Sequence, residues 1–303
     1  MKDFNPTASA RLHQAIAPEK LDTTAARAAI LEGADPNLRD QAGHPALMRA
    51  IAADDRGLAV LLLDQGADPN TGDGQGRIPM DLAIPHRRHI VPPLLAHGAD
   101  PDAVRAGGCT ALMRATRHNQ TDTMRVLIAA GARVDIRNEE GWSALTYAVR
   151  FAHLAAARLL LDQGADTEVR AAHDVTLLMS AAIVGNLEIM RLLLDRGARL
   201  EARNKDGWTA LMLAGTAAAA GLLAARGADV TATLPDGRDV GVLFEGLGEA
   251  GRLAAIDDAL ATMSDADRRA HVVSSLSPER RLRLLPNTCV VHAAETRADR
   301  RRP

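Results

Sequence analysis

Residues 138–170 read NEEGWSALTYAVRFAHLAAARLLLDQGADTEVR, and this stretch decides the fold. Asn138-Glu139-Glu140-Gly141 is a polar turn whose glycine can take a positive φ. Ser143 is a good N-cap for a first helix, SALTYAVRFA. A second helix, AAARLLLDQG, follows with an apolar face from Leu159, Leu160 and Leu161, and Gly164 stops it as the left-handed residue past the C-terminus. Asp166 and its polar neighbours then begin another turn. One such helix pair buries too little area to stand alone, so stability has to come from contact with neighbouring copies.

Those copies are present. GAD or GAR recurs at Gly33, Gly66, Gly98, Gly131, Gly164, Gly197 and Gly227, at intervals of 33, 32, 33, 33, 33 and 30. A second marker runs in step: the alanine ending HPALMRA, IPMDLA, TALMRA, SALTYA, TLLMSA and TALMLA, namely Ala50, Ala83, Ala115, Ala148, Ala181 and Ala214. With these two landmarks the chain resembles the ankyrin-repeat family, whose unit is 33 residues of β-turn plus two helices with a T-P-L-H-x-A signature. The resemblance covers about residues 7–262 and implies an all-α ankyrin-repeat solenoid of about eight helix-turn-helix units with β-turn tips. The expected division is 1–262 as the repeat domain and 263–303 as a C-terminal helical cap with a flexible tail.

Composition agrees. The 303 residues hold 36 Lys+Arg against 38 Asp+Glu, without the basic excess of a dedicated nucleic-acid binder. Hydrophobic residues at 47% can build a core, yet there are only two Trp, one Tyr and three Phe, so that core is Ala/Leu helices rather than a ring-filled sheet. Cys109 and Cys289 are too few for a disulfide framework and suit a reducing compartment. MKDFNPTASA lacks the apolar run of a signal peptide, and no stretch reaches a transmembrane length. The expectation is a cytoplasmic protein; three lysines against 33 arginines, with the alanine excess, hint at a GC-rich bacterial genome.

Several units depart from the pattern. The signature His is Met48, Met113, Met179 and Met212 in four of them, read as core filler. The first unit carries a longer connection at residues 18–20, and an eighth, degraded unit begins at Asp236-Gly237. In the third unit Pro85 is expected to truncate the first helix, and Pro92-Pro93 to shorten the second, with a basic His86–His89 connection between them. The seventh unit is short by three residues near Thr216–Ala220.

The resemblance implies a binding side, concave in the family, made of turn tips and of first-helix positions just after the signature Ala. The candidates are Arg77 in unit three, Arg117 and His118 in unit four, Trp142, Arg150 and Phe151 in unit five, Val175 and Ile183 in unit six, and Trp208 in unit seven, with Tyr147 one helical turn from Phe151. Trp142, Phe151 and Trp208 are half of the chain's aromatics, and interface hot spots favour such residues. The expected function is a non-catalytic module that binds another, unidentified protein, as a monomer and without cofactor.

No catalytic constellation appears. GDGQG at Gly72–Gly76 is a turn tip rather than a phosphate loop; His86 and His89 lack a third metal ligand; and nothing beside Cys109 activates it. Nine arginines between 268 and 302 leave nucleic-acid contact by the C-terminal segment as an alternative, set against a solvated cap, and family analogy leaves that of a toxin-neutralising or secreted bacterial effector.

Overall fold

A computed structural model describes residues 4–17, 21–104, 107–229 and 232–233. The 18–20 connection, the eighth unit and the cap with its basic tail lie outside the described residues. Among the described residues there are thirteen α-helices and no extended strand, only isolated bridges at Arg39–Pro45 and Arg170–Thr176. They fall into two compact units, one from residues 1–148 with 162–165, the other from 149–161 with 166–303.

The first unit holds α1 (Pro6–Ala15), α2 (Thr23–Leu31), α3 (Ala46–Ala52), α4 (Arg56–Asp64), α5 (Pro79–His86), α6 (Val91–Ala96), α7 (Ala111–Arg117), α8 (Thr121–Ala129) and most of α9 (Ala144–Arg150). Consecutive helices pair as α1 with α2, α3 with α4 and α7 with α8. First helices stack α3 on α5 on α7, and second helices α2 on α4 on α6 on α8. The second unit holds α10 (Leu154–Asp162), α11 (Leu177–Val184), α12 (Leu187–Asp195) and α13 (Ala217–Ala225), with α11 against α12 and α12 against α13.

Local chemistry sets these helices. Asp22, Asp55, Thr110, Thr176, Asn186 and Thr216 each accept a backbone N–H of their helix's first turn. The signature alanines Ala50, Ala83, Ala115, Ala148, Ala181 and Ala214 are all buried, as are Leu62, Leu94, Leu127, Leu160 and Leu193 of the second helices. Burying each of those leucines stabilises by about 1.5–3 kcal/mol. The methionines are buried too, and two do more than fill space: the sulfurs of Met179 and Met212 accept the N–H of Thr176 and Thr209 at 3.3 and 3.4 Å. Asp81 and Thr146, at the same place in their units, accept from Ile78 and Ser143 at 2.9 and 3.2 Å.

A ladder of side-chain acceptors joins the copies. The N–H of the third residue of GAD or GAR donates to a side chain one unit earlier: Asp68 to Asn37, Asp100 to Asn70, Arg133 to Asp102, Arg199 to Glu168 and Asp229 to Glu201, all at 2.8–2.9 Å. Because the backbone donates, Asp and Arg serve equally at that position.

Two expectations need correction. α5 is not truncated: it runs through Pro85 to His86, because the proline forfeits only its own N–H bond while the Arg87 N–H past it still reaches the Ala83 carbonyl at 2.8 Å and closes the last turn. The seventh unit's first segment forms turns rather than an α-helix, because the three-residue deletion pulls the chain straight into Gly215, whose N–H donates to the Ala182 carbonyl at 2.8 Å. Pro92 and Pro93 do sit at the start of a short helix, the six-residue α6.

Candidate partner-binding surface

Four of the described turn tips are each closed by one side chain. Oδ1 of Asp40 accepts the N–H of Ala42 and His44, that of Asp73 accepts from Gln75 and Arg77, that of Asn138 from Glu140 and Trp142, and that of Asn204 from Asp206 and Trp208, at 2.8–3.1 Å. Burial pushes the Asp40 and Asp73 carboxyls up, but bonds from His44 and Arg77 and their neighbours outweigh it and hold both below the usual carboxylate value. The tip near Ala171 lacks this acceptor and instead turns on His173 and Asp174, with φ of 61° and 58°. Thus His44, Arg77, Trp142, Val175 and Trp208 hold one repeated position, and the sequence reading had passed over His44.

Their exposure differs. Arg77 and Val175 are half-buried, with Arg77 Nη2 2.7 Å from Asp73. Trp142 is half-buried and sets its ring edge-on to Tyr147, centroids 5.4 Å apart at 71°. Trp208, expected as an exposed anchor, is only 8% exposed, so this indole serves the stack rather than a free surface.

Tyr147 is likewise buried. Its hydroxyl accepts from Asn138 Nδ2 at 3.3 Å and lies 3.6 Å from Cys109 Sγ; burial first, then Cys109, pushes it up to about 12. It supports Trp142 from below instead of meeting a partner directly. Cys109, half-buried, is tied into the same group by Asn138.

At the first-helix ends Arg117 and His118 are exposed. Arg150, Phe151 and Ile183 are half-buried, and the Phe151 ring stacks on His153 with centroids 5.9 Å apart at 24°. Sequence reading missed Val184, which is 61% exposed; the period carries it, because Val184 stands 33 residues after Phe151. Basic residues at these ends also suit the negative pole of each helix.

Among the described residues no three metal-ligating side chains converge, and no helix is long and apolar enough to cross a membrane.

The sequence profile of ankyrin repeats matches in three copies, at residues 12–105, 88–171 and 170–233. No curated protein matches the chain. Among solved structures, the ankyrin repeat domain of Bcl-3, a member of the IkappaB protein family, is 26% identical over 70% of this chain and 97% of its own, with a TM-score of 0.63. An ankyrin repeat domain from Acinetobacter baumannii AYE is 32% identical over 62% and 98%, with a TM-score of 0.57. The human ASB11 ankyrin repeat domain is 26% identical over 70% and 95%, also at 0.57. Ankyrin-repeat domains are in general protein–protein interaction modules and typically non-catalytic scaffolds. The stacked helix pairs, their tips and these likenesses agree: the chain belongs to the ankyrin-repeat family.

Proposed function

We propose that the chain is a non-catalytic binding protein that seats another protein against its turn tips and first-helix ends, the side that is concave in the family. The observation that carries this is the placement of scarce rings. Of six aromatics, Trp142 and Phe151 stand half-exposed at positions where the repeat presents side chains outward, each braced by a ring beneath or beside it. In the first unit Trp142 works with Arg117 and His118; in the second, Phe151 works with Arg150, Ile183 and Val184. The same reading takes 1–262 as the repeat domain and 263–303 as its cap and tail, in a cytoplasmic monomer.

Affinity capture from the source cells with the full chain tests it. A protein retained by the wild type is expected to be lost with Trp142→Ala and with Phe151→Ala while circular dichroism is unchanged. Retention by both variants refutes the reading. Trp208→Ala is unsuited to this test because its indole is buried.

A further inference from the structure

The first unit carries a row of cationic helix ends. Arg87 Nη2 donates to the Ala52 carbonyl at 2.7 Å, and Gln120 Nε2 donates to the Pro85 carbonyl at 3.3 Å. These bonds set the ends of α3, α5 and α7 side by side. On them stand His86, Arg88, His89, Arg117 and His118, all exposed.

The local carboxylates leave this row positive. Asp54 lies 3.9 Å from Arg87 and 3.5 Å from His89. Asp55 is taken by Arg27, and Asp122 by Arg125 at 2.8 Å. Arg88 and Arg117 have no carboxylate within ion-pair distance among the described residues. The negative poles of α5 and α7 are worth about half a charge each. They explain why cations collect here; Glu140, whose charge reaches the Tyr147 hydroxyl as that of Arg117 does, offsets part of Arg117 at a distance, and Arg88 keeps most of its charge.

We propose that this row binds a short acidic segment of a partner protein, with Arg88 and Arg117 pairing its carboxylates. This rests on the interaction reading above and names the chemistry of the partner. Nucleic acid is the poorer fit: two unpaired arginines fall far short of the roughly 6–10 phosphate contacts that give strong salt-dependent binding. Residues 52–56, 85–90 and 117–122 also contain no Phe, Tyr or Trp on which a base could stack.

The test uses the full chain and fluorescein-labelled decaglutamate, read by anisotropy at low and at physiological salt. The wild type is expected to bind and to weaken with salt. The double variant Arg88→Ser, Arg117→Ser should bind about tenfold more weakly, as expected for rim charges that act together. Arg133→Ser removes one arginine charge beyond the far end of α8, where it pairs with Asp102 at 2.8 Å, and should leave binding intact. Absence of binding by the wild type, equal binding by the double variant, or an equal loss with Arg133→Ser overturns the proposal. So does labelled decathymidine binding more tightly than the peptide, which would assign the row to nucleic acid. If the peptide fails while Trp142→Ala and Phe151→Ala still abolish partner capture, the acidic-segment proposal falls and the interaction reading stands.

Discussion

Ala152 links the end of α9 to α10 with a φ of 58°. The same joint is held by Asp54 at 60°, Asn119 at 54° and Gly185 at 75°. Three of these four residue types tolerate a left-handed backbone; alanine does not, because its Cβ crowds the next carbonyl, at a cost of about 1–2 kcal/mol. Ala152→Gly removes that cost. It also frees the unfolded chain, which takes back about 0.4–1 kcal/mol. Ala152 is half-buried, so losing its methyl forfeits little packing, and both local hydrogen bonds use backbone atoms, from Ala152 N–H to Val149 and from Leu154 N–H to Ala152. The net expectation is a gain of about 0.5–1 kcal/mol, with Ala152→Val losing stability by a similar amount or more. Urea unfolding followed by circular dichroism measures this as a shift in midpoint at constant slope. A glycine variant less stable than wild type, or a valine variant as stable, refutes the strain argument.

Other outcomes follow from single contacts. A Cβ on Gly215 would lie 2.0 Å from the Ile183 carbonyl oxygen, so Gly215→Ala should cost about 3 kcal/mol in urea melts, a loss that Gly74→Ala, with open space around it, should not reproduce. Trp208→Ala should destabilise by about 3 kcal/mol, whereas Trp142→Ala should cost under about 1 kcal/mol, because only the former is buried. His97 has its Nδ1 2.8 Å from the Pro93 carbonyl and its Nε2 3.0 Å from Asp64, an arrangement that needs both ring nitrogens protonated. The Pro93 bond, and then Asp64, outweigh burial and raise its pKa. That stability is fully present below the unfolded value of about 6.5 and is lost as pH rises through the folded one, so melting should fall from about pH 6 to pH 8 in wild type and less in His97→Gln.

The fold was legible because the repeat writes itself twice, in the helix-stop glycines and the buried alanines, and both have one-residue causes. The inter-repeat ladder left a signal that went unread: the fourth residue after each of the first six GAD or GAR glycines is Asn37, Asn70, Asp102, Asp135, Glu168 or Glu201, always an acceptor. Its identity varies because only a side-chain oxygen is required. Exposure was harder to read than position. Trp142 and Trp208 share one turn register, held by Asn138 and Asn204 in the same way, yet only Trp208 is buried. Turn register alone therefore does not set exposure. The seventh unit's lost helix is a parallel case: TALMLA matches its counterparts, and the deletion that follows decides its backbone.

The most direct test of the binding side is site-specific photo-crosslinking in the source cells, with a benzophenone side chain placed in turn at Trp142, at Phe151, and at the exposed Arg125 and Arg158 on the second helices. The account expects one discrete protein adduct from positions 142 and 151 and none from 125 and 158. Adducts confined to the second-helix positions would contradict it.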